Sequence, residues 1–400
     1  MTTIAAERGK LTVLRAAYLF NGDTASLIAD PMLVLDGGRI VSVDHGTAPP
    51  AGADVVDLPG ATLLPGLIDT HVHLAFDAST DPVGRLAARS DEEVIAAMTA
   101  AAGAALRGGV TTMRDLGDRD YLSLGLRGTP ALPTILAAGP PITTRAGHCH
   151  FLGGGTETGA DAVRQAVREH AERGVDVIKV MASGGTMTAG TKQESAQFTP
   201  ADLRVAVDEA HRHGLPITAH AHGSSAIADA VAAGVDGMEH VSFWTADGVD
   251  APPELISLIA QRRIVVGATV GMIPVPGLVP PPEILARIPH ILANTRRLHD
   301  EGARIVAGTD AGIAPVKPHD VLRYAIAQMG EIGFTLPEAL RTVTSDAAAV
   351  CGLSHRKGQL AAGFDADILA VDGDPLSDPD AIHRIRAVYA AGTRVLRADT

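Results

Sequence analysis

The sequence is poor in aromatic residues, in cysteine and in long apolar runs. Phe, Trp and Tyr make up only 3% of the 400 residues, although hydrophobic residues reach 46%. Ala, Val, Leu and Ile must therefore fill the core, as they do in the buried parallel strands of α/β proteins. Two cysteines, Cys149 and Cys351, cannot form the disulfide framework of a small secreted protein, and they fit a reducing compartment.

Basic clusters and membrane segments are missing as well. The formal net charge is -13, and Lys and Arg do not form runs, which disfavours nucleic-acid binding. No stretch approaches the roughly 20 apolar residues that span a bilayer, and the first segment lacks the pattern of a signal peptide. We therefore expect a cytoplasmic protein that binds a small-molecule substrate but neither nucleic acid nor membranes; a homo-oligomer stays open.

Both ends of the chain have the sequence pattern of short β-strands. Apolar runs such as "LTVLRAAYLF" near the start and "IRAVYAAGTRVL" near the end are separated by Gly, Asp and Pro. Neither end is expected to fold alone. We therefore predict that residues 1–60 and 357–400 together form one small β-domain, with residues 61–356 inserted between them as a second domain.

The middle of the chain alternates helical and strand patterns. Ser90 and Glu93 form a capping box, and Thr199 followed by Pro200 marks the start of another helix. Gly174 is a typical helix stop. Eight apolar strands accompany these helices, with centres near residues 64–73, 109–116, 133–138, 175–181, 216–220, 235–240, 263–268 and 304–309.

Eight β/α units predict an α/β fold with a closed (β/α)8 TIM barrel. The competing arrangement is an open, doubly wound sheet. Such a sheet would normally carry a Gly-rich phosphate loop after its first strand, and the sequence has none there.

Polar side chains stand at or near the carboxyl ends of five predicted strands, which is the face where barrel enzymes carry their chemistry. The residues are His71, His73, Lys179, His220, His240 and Asp310. If these polar side chains were buried together at one end of the barrel without partners, each would destabilise the fold by several kcal/mol or shift to its neutral form. Bound cations would resolve this for all six at once.

Imidazoles combined with a carboxylate suit zinc, and manganese, cobalt or iron are alternatives. A buried Lys179, held neutral, can add carbon dioxide and become a carbamate that bridges two metal ions about 3.5–4 Å apart. We therefore assign His71, His73 and Asp310 to one ion and His220 and His240 to the other. Carboxylated Lys179 would bind both.

The motifs "PGLIDTHVHL", "VDVIKVMASGG", "ITAHAHG", "MEHVS" and "AGTDAG" resemble those of the amidohydrolase superfamily, and more closely its imidazolonepropionase-like group with the metal-dependent prolidases. "KGQLAAGFDADILAVDGDPL" is similar to the terminal signature of that superfamily. The resemblance covers nearly the whole chain. It implies a composite β-sandwich beside the barrel, built from both chain ends.

The expected chemistry is hydrolysis by a metal-bridged hydroxide, because a water shared by two dications has a pKa lowered towards about 7. Asp310 would take the proton of that water and deliver it to the leaving amine. His148 resembles the histidine that peptidases of the group use near the scissile carbonyl. Arg145, His150 and His222 are further candidate substrate contacts, and His222 is not expected to be a metal ligand.

Two loops are candidate lids. The segment after the fourth strand, "SGGTMTAGTKQESAQFTP", is long and rich in glycine. The segment "GMIPVPGLVPPPEILARIP" after the seventh is rich in proline and predicts either a rigid rim or a lid that lines an apolar pocket.

The leading hypothesis is an amidohydrolase that cleaves a dipeptide of the Xaa-Pro type or an N-acyl amino acid. Hydrolases of cyclic amides, lactones, carbamates or organophosphates remain alternatives, since they can use the same lysine-bridged metal pair. Mononuclear imidazolonepropionases and deaminases need no such lysine, so Lys179 disfavours them. A non-catalytic scaffold is disfavoured because all six positions are filled.

Overall fold

The structure is a computed structural model that describes residues 10–395. Within these residues it has nineteen strands and ten α-helices. The strands are Thr12–Leu19 (β1), Ile28–Ala29 (β2), Pro31–Asp36 (β3), Arg39–His45 (β4), Asp54–Pro65 (β5), Leu67–Val72 (β6), Val110–Asp115 (β7), Thr134–Ala137 (β8), Thr143–Thr144 (β9), Gly155–Thr156 (β10), Ile178–Met181 (β11), Ile217–Gly223 (β12), Gly237–Thr245 (β13), Gly248–Val249 (β14), Val265–Thr269 (β15), Arg304–Gly308 (β16), Ile368–Asp372 (β17), Ile385–Ala390 (β18) and Thr393–Arg394 (β19). The helices are Pro82–Ala87 (α1), Asp91–Arg107 (α2), Ala160–Arg173 (α3), Pro200–Arg212 (α4), Ser224–Ala233 (α5), Pro253–Gln261 (α6), Pro282–Asp300 (α7), Leu322–Ile332 (α8), Leu336–Thr342 (α9) and Ser345–Val350 (α10).

Strands from both chain ends share one sheet, in the order β19-β18-β17-β5-β1-β3-β4, with the short β2 paired to β1. The two ends meet where β17 pairs antiparallel with β5, with Ile368 opposite Pro65. A cluster of buried side chains covers this sheet separately from the main core, and it includes Leu14, Leu33, Leu63, Ile368 and Tyr389. The apolar runs at the two ends therefore form one structure together.

The predicted domain limits are only partly covered by the structure. Residues 1–9 and 396–400 lie outside the described part of the chain, and strand β5 continues past residue 60 to Pro65. All eight strands of this region belong to one sheet, and the sandwich and the two-domain division stay predictions.

The middle of the chain contains two parallel sheets, which establish the α/β class. One has the order β6-β7-β8, and the other has the order β11-β12-β13-β15-β16 with β14 as an antiparallel appendage to β13. The eight parallel strands coincide with the eight predicted apolar runs.

The two parallel sheets are linked at both edges. A parallel bridge joins Val72 at the end of β6 to Ala311 after β16, and another joins Ile142 after β8 to Val180 in β11. Main-chain hydrogen bonds support both links: the Ile142 amide donates to the Lys179 carbonyl at 2.8 Å, and the Asp310 amide donates to the His71 carbonyl at 2.7 Å. This is the pairing that a closed barrel requires.

The helix signals in the sequence are confirmed. Ser90 and Glu93 form a reciprocal capping box at the start of α2, and Thr199 caps α4 with Pro200 at its first position. Gly174 ends α3 with φ +79°, a left-handed conformation that costs glycine little. No helix within residues 10–395 is long and apolar enough to cross a bilayer.

Candidate metal centre

Three of the predicted ligands meet where strands β6 and β16 end. The Nε2 atoms of His71 and His73 lie 3.3 Å apart, and Oδ1 of Asp310 lies 3.5 Å from the first and 3.2 Å from the second. The strand alternation that places residues i and i+2 on one face explains why both imidazoles point the same way. Two nitrogens and one carboxylate oxygen at these distances can surround one divalent cation.

The backbone beneath this group is tied together by Asp69. Its buried carboxylate accepts hydrogen bonds from the His71 amide at 3.2 Å and from the amide and hydroxyl of Thr309 at 3.0 and 2.6 Å. Burial raises the pKa of Asp69 to about 6. Asp69 thus fixes the ends of β6 and β16 against each other, next to the residues that would hold the cation.

A second group of histidines lies on the neighbouring strands β12 and β13. The candidate ligand atoms of His220, His222 and His240 all lie within 4.8 Å of one another. The His220 ring stands at 74° to the His240 ring, with 4.6 Å between the centroids. His220 and His240 therefore suit a second cation, as the assignment from the sequence requires.

His222 has a different orientation. Its ring is stacked on that of His240, with an interplanar angle of 16° and 4.2 Å between the centroids. Lone pairs in two nearly parallel ring planes cannot converge on one ion at a bonding distance of about 2.0–2.1 Å. His222 Nδ1 also lies 2.7 Å from the Ser242 hydroxyl. The geometry therefore agrees with a role outside the ligand set.

Lys179 supplies a buried amine with unsatisfied hydrogen-bonding capacity. Its Nζ atom has no hydrogen-bond partner among residues 10–395, although the side chain is 1% exposed. Burial lowers the pKa of Lys179 to about 8. An orphaned, partly neutral amine fits carbamate formation with carbon dioxide better than it fits a structural ion pair.

The protonation states of the two groups suit metal binding. Burial lowers the pKa of His71 to about 4 and holds the pKa values of His220 and His240 well below the usual range. His73 differs: burial opposes its charge, but the adjacent Asp310 carboxylate raises its pKa, so a cation bound there would have to displace that proton. Although burial alone would raise it, the neighbouring His71 and His73 hold the pKa of Asp310 well below that of a free carboxyl. Neutral imidazoles and an ionised carboxylate are the forms that bind a cation. The donor set therefore fits two divalent ions.

Two of the candidate ligands have unusual backbone conformations. His240 has φ +74° and Asp310 has φ +59°, both in the left-handed region that non-glycine residues rarely adopt. Each such residue costs of order 1–3 kcal/mol, and the surrounding structure must offset this cost. Such strain is concentrated at functional sites, which supports the assignment of this region.

Sequence reasoning missed a buried acid–base network beneath His71. Glu239 Oε2 lies 3.1 Å from His71 Nδ1. The other oxygen, Oε1, accepts hydrogen bonds from Arg114 at 3.0 Å and from Thr218 at 2.7 Å. A glutamate and an arginine inside apolar strand patterns, in "GMEHVS" and "TTMRDLG", are the sequence signal that could have revealed them, because such charges are rarely buried unless paired.

The four candidate substrate contacts divide into two pairs. His148 is buried, with its ring centroid 4.9 Å from that of His220, and burial lowers its pKa to about 4. His222 also lies among the histidines. Arg145 instead extends into solvent and forms a surface ion pair with Glu157, and His150 is exposed. Arg145 and His150 are therefore exposed rather than packed among the histidines, and their contact with substrate stays a prediction.

The two predicted lids lie beside this region. In the loop after β11, Ser183 forms a bridge with Ala196, so the segment folds back on itself. In the loop after β15, the side chains of Met272, Leu278 and Val279 are exposed. Whether either loop closes over a substrate stays a prediction.

Comparisons with known proteins show which proteins the chain is similar to. Residues 62–395 match the model of the family described as "Amidohydrolase family". An ochratoxinase from Aspergillus niger is 28% identical over 428 residues, which cover 96% of this chain and 85% of that protein. An imidazolonepropionase from Deinococcus deserti is 26% identical over 415 residues, covering 93% and 92%. A prolidase solved in complex with N-methylphosphonate-L-proline has a TM-score of 0.82 at 27% identity, covering 97% of this chain and all of that one.

Proposed function

The chain belongs to the amidohydrolase family, and on that premise we propose that it is a binuclear metal-dependent hydrolase that cleaves an amide or peptide bond. The single observation that carries the proposal is the meeting of His71, His73 and Asp310 within 3.5 Å of one another. A second ion would need further ligands. The adjacent imidazoles of His220 and His240 can supply two of them, and the unpaired amine of Lys179 can supply another once it is carboxylated.

The proposed metal ions are two zinc ions, with manganese, cobalt or iron as alternatives. His71, His73 and Asp310 would hold one ion, and His220 and His240 would hold the other. Lys179, carboxylated by carbon dioxide, would bind both. When bound, such ions supply a water of lowered pKa and polarise the carbonyl of the substrate.

Asp310 is the proposed general base and acid. Its low pKa keeps the carboxylate ionised at neutral pH, so it can accept the proton of the attacking water. The same carboxyl group would then deliver this proton to the leaving amine. His148, neutral at pH 7, would donate a hydrogen bond to the scissile carbonyl oxygen as charge develops on it.

The proposed substrate is a dipeptide of the Xaa-Pro type or an N-acyl amino acid. The similarity to a prolidase and to an ochratoxinase supports hydrolysis of a C–N bond. Arg145 lies at the surface in an ion pair with Glu157, so we propose His148 and His222 as the first candidate contacts with the substrate.

We also infer that β6, β7, β8, β11, β12, β13, β15 and β16 form one closed (β/α)8 barrel. The bridges at both sheet edges support this closure. The sheet built from both chain ends supports a composite second domain made of residues 1–60 and 357–400.

A substrate screen on zinc-loaded protein tests the proposed function. The panel contains Xaa-Pro and Xaa-Arg dipeptides and N-acyl amino acids, together with lactones, cyclic ureides, carbamates and organophosphate esters. We expect turnover in the first group, and the matched variant Asp310→Asn should lose it. Turnover of lactones or cyclic ureides alone would refute the peptidase assignment.

A further inference from the structure

The Glu239 carboxylate lies directly against the imidazole of His71. Oε2 of Glu239 is 3.1 Å from His71 Nδ1, and both side chains are almost completely buried. Within residues 10–395, neither atom has a hydrogen bond of good geometry with the other or with any other group, so their 3.1 Å approach is the nearest that each comes to a partner. Each can therefore be satisfied only by the other, with the proton on His71 Nδ1 as donor and the carboxylate as acceptor.

We propose that Glu239 is a positioning residue that holds His71 with its proton on Nδ1, so that Nε2 presents a lone pair to the first cation. The inference rests on the proposed function, because it assigns a role toward the metal centre. A carboxylate behind a histidine ligand fixes the tautomer and the ring orientation and raises the basicity of the ligand. His71 Nε2 is also the atom that faces His73 and Asp310.

Side chains from two other strands, one in each parallel sheet, hold Glu239 in this position. Arg114 on β7 and Thr218 on β12 both donate to Oε1, at 3.0 and 2.7 Å. The Arg114 Nε atom donates in turn to the Thr70 carbonyl at 2.7 Å, next to His71 in the chain. Oε1 is thus occupied by two donors, and Oε2 is left to His71.

The space around Oε2 depends on Gly267 in β15. A Cβ atom at this position would lie 2.0 Å from Glu239 Oε2, far inside any permitted contact. An alanine at position 267 would therefore displace the carboxylate from His71 without removing a charge or a hydrogen-bonding group.

Glu209 shows what a purely structural glutamate looks like in this chain. It is as well buried as Glu239, but Oε1 accepts a hydrogen bond from Arg168 and Oε2 one from Arg212, each at 2.7 Å. Both of its oxygens are engaged by arginines on helices. Glu239 differs because one oxygen faces only a candidate metal ligand, and Glu209→Gln is the matched control for Glu239→Gln.

The test measures zinc stoichiometry and affinity by competition with a chelating dye, and the absorption spectrum of the cobalt-substituted full-length protein. In Glu239→Gln the amide nitrogen would donate to His71 Nδ1, because Oε1 is needed by Arg114, and this favours the tautomer with its proton on Nε2. We expect Glu239→Gln and Gly267→Ala to bind one of the two ions about 10–100-fold more weakly. Glu209→Gln should bind both ions like the wild type.

Wild-type affinity for both ions in folded Glu239→Gln and Gly267→Ala would overturn the inference. If Glu239→Gln does not fold, Gly267→Ala decides, because it keeps every charge of the network. Failure of the wild-type protein itself to bind two ions would instead refute the proposed function. The two failures are therefore distinguishable.

Discussion

The Nε2 atoms of His71 and His73 lie 3.3 Å apart, and Oδ1 of Asp310 lies within 3.5 Å of both. His71 lies in β6 and His73 directly follows this strand, whereas the aspartate follows β16, the last strand of the parallel sheets. The closing of β16 against β6 is therefore what completes the group, through the hydrogen bond from the Asp310 amide to the His71 carbonyl. The pairing of β16 with β6 therefore both links the two parallel sheets and brings the three candidate ligands together.

Removal of metal should inactivate the protein and destabilise it. An ion that binds only the folded state adds about 2.7 kcal/mol to the free energy of unfolding when its free concentration is 100 times its Kd. We expect chelator-treated protein to unfold at a lower temperature, and zinc to restore both the melting temperature and the activity. In His71→Ala or His73→Ala, zinc should restore less of the melting temperature, as differential scanning calorimetry would measure. An equal zinc response in wild type and both variants would contradict this site.

Asp310→Asn should separate metal binding from proton transfer. The amide oxygen can still face His71 and His73, but an asparagine cannot accept the proton of the attacking water. Loss of a general acid–base group typically costs about 10²–10⁴ in rate, so kcat should fall by that factor while much of the metal is retained. Metal analysis and steady-state kinetics on the same preparation check this. Near-normal kcat would assign the proton transfer to another residue.

Carboxylation of Lys179 should depend on pH. Only the neutral amine reacts with carbon dioxide, and burial lowers the pKa of Lys179 to about 8. The neutral fraction therefore rises from about one tenth at pH 7 to about one half at pH 8. At a fixed carbon dioxide pressure, the rate at which metal-free protein regains activity with zinc should rise accordingly.

The matched variant for this experiment is Lys179→Ala. It should lose the bridging metal and the activity, with partial rescue by a small carboxylate such as acetate. Full activity in Lys179→Ala would rule out the lysine-bridged pair, and a reactivation rate that is unchanged between pH 7 and pH 8 would show that free Lys179 is not the group that limits assembly.

Much of the site could be predicted from the sequence, because its ligands follow apolar strands whose carboxyl ends share one face. The positions of the eight parallel strands could be predicted as well, because each strand is an apolar run in the sequence. The charge of Glu239 inside an apolar strand signals a buried partner, but its contact with His71 could not be predicted, since simple alternation along β13 would place Glu239 on the opposite face from His240. The left-handed backbone at His240, with φ +74°, breaks that alternation and allows both side chains to face the site.

The side-chain direction of Arg145 is an example of what the sequence could not predict. Its place in a loop after the third parallel strand suggested a contact with substrate, but loop sequence does not fix side-chain direction. In the structure the Arg145 side chain lies at the surface, where it pairs with Glu157. The stacking of His222 on His240 is likewise a property of packing between strands that no local pattern encodes.

Arg145 and His148 should respond very differently to replacement. Arg145→Ala should leave kcat/KM within about twofold of wild type, because it removes only an exposed ion pair. His148→Ala should lower kcat by about 10²-fold or more, as expected for the loss of a donor to a developing oxyanion. Steady-state kinetics on the best substrate of the panel would check both. A large effect of Arg145→Ala on KM alone would instead return this residue to the substrate site.

Lys357 should be important for stability, because it is a buried cation paired with two carboxylates of the C-terminal segment. Its buried Nζ atom forms ion pairs with Asp365 and Asp367. Asp367 also accepts a hydrogen bond from the Ala391 amide at 2.8 Å, in the turn that follows β18. Lys357→Met would leave Asp367 as a buried, uncompensated charge, and breaking a buried pair in this way costs about 3–5 kcal/mol.

Lys10→Met is the matched control, because Lys10 pairs with Asp54 in an exposed ion pair. Such surface replacements change the free energy of unfolding by about 0.5 kcal/mol or less. Denaturant unfolding in the presence of chelator, which removes any contribution of bound metal, should therefore show a much lower midpoint for Lys357→Met than for Lys10→Met. Equal midpoints would mean that the buried ion pairs of Lys357 contribute little to stability, and that the apolar cluster around Leu14 and Ile368 is sufficient to hold the terminal sheet together.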